Sequence, residues 1–342
     1  MKKAKILLCI SCSFALMMSM VCIKVSAFTF KDGDFGFELD TFEKTSALVE
    51  YTGNSQTVNV PSGYSTYKLK KIKSSAFSGN TTAQIINLPT TVTTLDAEAF
   101  ANCASLTTFT VMSNISNYGK GLFANCSSLQ SAYILSDKTD LPDNTFQNCS
   151  ALNKVELSPS ISSLGSKSFY GCTSLTNASF LSQISQIGDF TFYNSGLEAI
   201  TIPDTITAVP AYSFAECQNL SRVDIPATVT SIAPTAFYND PNLNLGVYYG
   251  SAGYEYAVEQ NIPYVLLDGV KLGDANGDGS VNINDVTSIQ RHLAELEILE
   301  GIYLHAADAN QDGTVDIADA TVIQMYLAEY EMEYPIGEVM TQ

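Results

Sequence analysis

The sequence contains no tryptophan and two histidines, and only 17 Lys and Arg stand against 35 Asp and Glu in 342 residues. Each shortage removes a class of function. Everything before His292 lacks the imidazole that Ser-His-Asp and Cys-His nucleophiles use, and the other histidine is His305. A formal net charge of −18 opposes nucleic acid and anionic membrane surfaces, which are recognised by clustered Lys and Arg. Without tryptophan, stacking on sugar rings is left to tyrosines such as Tyr133, Tyr248 and Tyr249. Beyond Ile23 no apolar run approaches the roughly 20 residues needed to cross a bilayer.

The one long apolar run, Ile6 to about Ile23, follows Lys2, Lys3 and Lys5 and precedes Val25, Ser26 and Ala27. A basic start, an apolar stretch and small residues before a cleavage point mark an export signal, so residues 1–27 are expected to be removed and the rest secreted to the cell exterior. Cleavage takes away Cys9, Cys12 and Cys22 with four lysines and no acid, which leaves five cysteines and lowers the net charge from −18 to −22.

The body is periodic. Phe77, Phe100, Phe123, Phe146, Phe169, Phe192, Phe214 and Phe237 are 23 residues apart, with one step of 22. Apolar residues sit five before each Phe (Ile72, Leu95 and so on), and Leu106, Leu129, Leu152, Leu175, Leu220 or Leu243 six after. One alternating segment per repeat, such as Val155 to Leu157 or Val223 to Ile225, predicts a strand with its apolar side inward. No repeat can bury its own apolar face, so the rungs must stack into a solenoid.

Two columns speak to backbone and redox state. Two after the Phe stand Gly79, Asn102, Asn125, Asn148, Gly171, Asn194, Glu216 and Asn239, a set that predicts the left-handed conformation. One further on stand Cys103, Cys126, Cys149, Cys172 and Cys217, with Ser195 in the short rung. Rungs about 5 Å apart leave bridges sterically open, but five is odd, and a ladder of buried free thiols is the favoured reading.

Outward strand positions include Thr108, Thr110, Ser131, Tyr133, Lys154, Asn177, Ser179, Thr201 and Arg222, a polar face suited to binding protein or glycan and equally to water. Glycoside hydrolysis needs two carboxyl groups about 5 to 9.5 Å apart. The outward acids Glu156 and Asp224 stand three rungs apart, about 15 Å at strand spacing, so no enzyme is expected here.

Beyond the repeats one acidic loop occurs twice, 34 residues apart. Asp274, Asn276, Asp278, Ser280, Asn282 and Asp285 correspond to Asp308, Asn310, Asp312, Thr314, Asp316 and Asp319, with Gly279 and Gly313 at the sixth place. Oxygen donors at loop positions 1, 3, 5, 7, 9 and 12 around a sharp turn are what a hard cation demands, so two Ca2+ ions are expected. A helix with Ile289 and Leu293, or Ile323 and Leu327, follows each loop, and no helix is expected in front of either.

These motifs carry two resemblances. The Ile-x-x-x-Ala-Phe-x-x-Cys-x-x-Leu pattern resembles the BspA-like leucine-rich repeats of bacterial surface proteins, and the paired loop-helix units resemble a type I dockerin. Together they imply an α/β leucine-rich repeat solenoid of short strands and turns with 22–23-residue repeats, followed by a small all-α dockerin. The expected boundaries are an N-terminal cap over 28–71, repeats over 72–247, a C-terminal cap over 248–268, a short linker over 269–273, the dockerin over 274–330 and a tail over 331–342. The dockerin resemblance implies calcium-dependent docking onto a cohesin domain of a scaffoldin in a cellulosome-like complex. It puts Ile283, Asn284, Gln290, Arg291 and Glu295, and in the second copy Ile317, Ala318, Gln324, Met325 and Glu329, against the cohesin. The usual Ser-Thr pair at positions 10 and 11 is missing from both copies, which leaves the specificity class open. The leading expectation is a secreted, non-catalytic adaptor; a polysaccharide hydrolase component and a cell-surface adhesin are the alternatives.

Overall fold

The computed structural model describes residues 28–340, and the expected export signal lies outside them. The chain opens with an antiparallel meander, β1 (Phe28–Asp32), β2 (Phe35–Asp40) and β3 (Thr45–Tyr51). Strand β3 then pairs in parallel with Tyr67–Ile72, which converts the meander into a solenoid. Phe37 and Leu48 are fully buried and close that end of the core.

Each rung was expected to supply one strand, and most supply two. The expected ladder is present as Thr108–Val111, Ser131–Ile134 and Lys154–Leu157, where Ser131 pairs with Thr108 and Lys154, and again from Ala199–Thr201 through Tyr264–Leu266. A second ladder uses two-residue strands such as Ser163–Leu164 and Gln186–Ile187. Two residues are too short for alternation to be read from sequence.

The expected ladder is broken in one rung, where Ser179–Gln183 forms a 3-10 turn instead of a strand. Asn177, Ala178 and Ser179 lack the β-branched side chains that favour neighbouring strands. The turn buries Leu181 and lays Phe180 on Phe169 at 5.1 Å.

The Phe column is the core. Successive ring centroids from Phe77 to Phe237 lie 5.3 to 5.7 Å apart. Tyr51 extends the column at one end and Tyr256 at the other, at 5.2 and 5.8 Å. The Gly/Asn column is left-handed throughout, with Asn125 at φ 61° and Gly171 at φ 70°. Asn125 donates to Asn102 at 3.0 Å and Asn148 donates to Asn125 at 2.9 Å. A second left-handed column, two residues before the Phe, includes Glu98, Lys167, Phe190 and Tyr212.

Helix α1 (Ala252–Gln260) closes the array, capped by Ser251, whose hydroxyl accepts from the N–H of Tyr254 at 3.2 Å. Three helices follow: α2 (Ile283–Leu293), α3 (Gly301–Ala307) and α4 (Ile317–Leu327). Val286 and Ile289 are buried with Ala320 and Ile323 where α2 packs on α4. The expectation that no helix precedes either loop is corrected at the second loop, which α3 precedes; its seven residues show too little periodicity to be read in advance.

Residues 336–340 run back along the junction with the repeats. Leu272 donates to Glu338 and Gly337 donates to Leu272, both at 2.9 Å, and Leu266 donates to Met340 at 3.2 Å. Tyr249 of the repeat cap stacks on His305 of α3 at 5.6 Å. Among the described residues no helix is long and apolar enough to cross a membrane.

Candidate calcium loops and docking face

The two acidic loops have one geometry. Asp274 accepts from the N–H groups of Asp278 and Gly279 at 3.1 and 3.0 Å, and Asp308 accepts from Asp312 and Gly313 at 3.1 and 2.9 Å. Asp285 bridges the loop by accepting from Asn276 at 3.1 Å and Asn282 at 2.7 Å; Asp319 does the same with Asn310 and Asp316. Gly279 and Gly313 take φ of 84° and 90° with open space around them, so it is the turn, not crowding, that requires glycine.

Asn282 and Asp316 also begin the following helices, each in a reciprocal capping box with Asp285 or Asp319. The last loop ligand is therefore set by the start of the helix. Both helices end alike: Glu295 and Glu329 are left-handed, and Leu296 and Tyr330 donate back to Arg291 and Met325 at 2.9 and 3.1 Å.

Position 1 and position 12 acids are buried, at 2 % and 0 % exposure for Asp274 and Asp285, while Asn276, Asp278, Ser280, Asp312 and Thr314 are exposed. Burial, followed by the charges of Asp274 and Asp278, holds the Asp285 carboxyl above the usual carboxylate range, and Asp308 and Asp316 act likewise on Asp319. Among the described residues no three His, Cys, Asp or Glu side chains converge as a ready-made cluster. The donors are all oxygen and include amides and hydroxyls, a set that fits a hard cation; Asp274, Asp278 and Asp285, with Asn276, Asn282 and the Ser280 carbonyl, would hold one in the first loop. Bound there, an ion would supply the charge neutralisation that lets the buried acids stay ionised.

The ten side chains expected to face a partner all lie on the surface. Ile283, Asn284, Gln290, Arg291 and Glu295 are exposed, as are Ile317, Ala318, Gln324, Met325 and Glu329. Ile283 and Ile317 are 57 % and 61 % exposed at the same place on α2 and α4. Arg291 breaks the symmetry through an ion pair with Glu297 at 2.9 Å, which Met325 cannot form.

On the repeats, the two acids considered for hydrolysis are in ion pairs: Glu156 with Lys154 at 3.3 Å, and Asp224 with Arg222 at 2.6 Å. The five cysteines of the column are buried and unbridged.

Residues 50–150 and 139–249 match the model of the BspA type leucine rich repeat region. The chain belongs to that family. Residues 272–328 of this repeat protein match the dockerin type I domain, a calcium-binding class whose partners are cohesins. Its solved neighbours are bacterial. A leucine rich cell surface protein of Faecalibacterium prausnitzii is 23 % identical, with 65 % of this chain and 76 % of that one covered at a TM-score of 0.44. A leucine-rich repeat protein of Eubacterium ventriosum is 20 % identical, with 63 % and 50 % covered at 0.44. The leucine rich repeat protein of T. pallidum is 16 % identical, with 69 % and 97 % covered at 0.42. A search of the curated proteins gives no match.

Proposed function

We propose that this is a secreted, non-catalytic adaptor: residues 274–330 bind two Ca2+ and dock onto a cohesin of a scaffoldin, and the repeats present a binding surface within a cellulosome-like, polysaccharide-degrading complex. The observation carrying this reading is the duplicated loop, whose carboxylates make the same hydrogen bonds in both copies. The metal ligands are the twelve loop residues named above, and the cohesin face is the ten exposed residues on and around α2 and α4. Residues 1–27 act as the export signal, 28–71 and 248–268 as caps, and the scaffold holds the protein at the cell surface.

The test is capture of the full mature chain by candidate cohesins with calcium and with EDTA. Capture in calcium that is lost in EDTA and in Asp274→Ala plus Asp308→Ala is expected. Capture indifferent to calcium overturns the proposal.

A further inference from the structure

Aromatic residues directly after the core Phe occur only in the later rungs. The residue after the core Phe is Ser78, Ala101, Ala124 or Gln147 in the first four rungs, whereas three of the four later rungs bring Tyr170, Tyr193 and Tyr238, and the fourth has Ala215. The backbone repeats through both halves, so the solenoid does not need these rings. Tyr170 stacks on Tyr193 with centroids 4.8 Å apart and planes 6° apart, and Phe190 stacks on Tyr212 at 4.8 Å and 12°. Phe190 also meets Tyr193 at 5.7 Å, and Tyr212 meets the edge of Tyr238 at 6.2 Å, which joins the five rings into one strip along the solenoid. Phe190 and Tyr212 display their rings from left-handed backbone at φ 58° and 55°, a conformation bulky residues avoid.

A groove of about 420 Å³ runs through the same rungs. Its wall is polar: Asp143, Ser163, Ser166, Ser185, Gln186 and Thr207. Gly188 and Pro210, also in the lining, lie two residues before Phe190 and Tyr212, so groove and strip share their rungs. Rungs pack too closely for a side chain at Gly188, where an added Cβ would come within 2.5 Å of the Ser166 nitrogen.

We infer that groove and strip together bind a neutral polysaccharide lying along the solenoid axis. A pyranose ring has apolar C–H faces and a rim of hydroxyls; the strip, whose inner ring faces are stacked on one another, offers its apolar edges and tyrosine tips to the first, and the hydroxyl and amide wall suits the second. Only the hydroxyls of Ser185 and Thr207 recur at one repeat position, while Asp143 gives way to Ser166 and Ser163 to Gln186, so the wall offers hydrogen-bonding groups in successive rungs without repeating one group. Charge selects within this class: Lys167 lies over the Phe190 ring at 5.3 Å, but Asp143 in the groove and the acidity of the chain as a whole oppose uronic-acid polymers. A folded protein partner is less well matched, since interface cores are apolar and this wall is not. The inference rests on the reading of the repeats as a presenting surface and is independent of the docking module.

The test is retention of the full mature chain, in calcium, on insoluble neutral glucans, xylan and mannan against polygalacturonate, with cohesin capture measured on the same samples. Retention on at least one neutral polymer and none on polygalacturonate is expected. Phe190→Ala plus Tyr212→Ala should weaken retention about tenfold or more with cohesin capture unchanged. Gln186→Ala, at an exposed position, should weaken retention without touching the fold. Tyr133→Ala, on the other ladder, should leave it unchanged. No retention on any neutral polymer, retention unaffected by the groove and strip variants, loss with Tyr133→Ala instead, or binding only to a protein would each overturn the inference. Loss of cohesin capture alone would instead overturn the docking reading.

Discussion

The thiol of Cys149 donates to the carbonyl of Phe123 at 3.1 Å, so each cysteine is tied to the aromatic column of the rung before it. Cys103, Cys126 and Cys172 repeat the contact with Phe77, Phe100 and Phe146, and Cys217 makes it with Phe192. Burial pushes the Cys149 and Cys217 thiols up to about 12, far from the thiolate that reacts. In native buffer the mature chain should show no rapid reaction with a disulfide reagent such as Ellman's, and all five thiols should appear in denaturant. Fast labelling in buffer would contradict a sealed ladder.

Truncating the aromatic column should be costly. Phe169 is fully buried between Phe146 and Phe192, at 5.4 Å from each. Phe169→Ala should cost about 3–5 kcal/mol in urea unfolding of the repeats. A cost near zero would mean that the rungs close over the gap.

Asp240 stands in the thiol column of the last rung and accepts from the Cys217 N–H at 2.7 Å. Burial, offset by that bond and reinforced by Glu216, raises its carboxyl to about 8. The folded state therefore binds a proton that the unfolded chain releases near the ordinary value of about 4, so the contribution of Asp240 to stability is fully present below that value and is lost as pH rises towards 8. Asp240→Asn should flatten this part of the unfolding profile relative to wild type, and parallel profiles would count against the shift.

The two loops should differ in affinity. The first offers Asp274, Asp278 and Asp285, and the second adds a fourth carboxylate, Asp316. In the first loop Asn282 also donates its amide to the Ser280 carbonyl at 3.1 Å, which a cation must displace, whereas Asp316 is an acceptor only. Calorimetry on Asp308→Ala should find only the weaker site, and on Asp274→Ala the tighter one.

Removing calcium should unfold 274–330 and leave the repeats intact, because small metal sites couple binding to folding. Hydrogen exchange in EDTA should rise across α2 and α4 and stay low in Thr108–Val111. Unchanged protection in the helices would refute it.

What was legible in the sequence followed from residue choices with one meaning. Phe recurring at 22 or 23 residues marks a stacked core, and a column of Asn and Gly marks a left-handed turn. The second left-handed column could not be read, because Glu98, Lys167, Phe190 and Tyr212 disfavour the conformation that neighbouring rungs impose. The aromatic strip was missed for a related reason: its members fall at two different repeat positions and meet only when rungs stack. In the acidic module the paired loops were plain from spacing, while the helix before the second loop, like the 3-10 turn at Ser179–Gln183 in the repeats, depends on tertiary packing.

The pairing of 336–340 with 266–272 leaves the docking module without slack. A flexible tether lets two attachment points search for their targets independently, with an effective concentration set by its length. A stiff mount fixes the distance and angle between them, so simultaneous attachment succeeds only where the geometry of the two targets matches. Insertion of a Gly-Ser spacer after Gly269 would break this pairing and therefore change how many surfaces the molecule can bridge at once, with the two binding faces themselves left as they are.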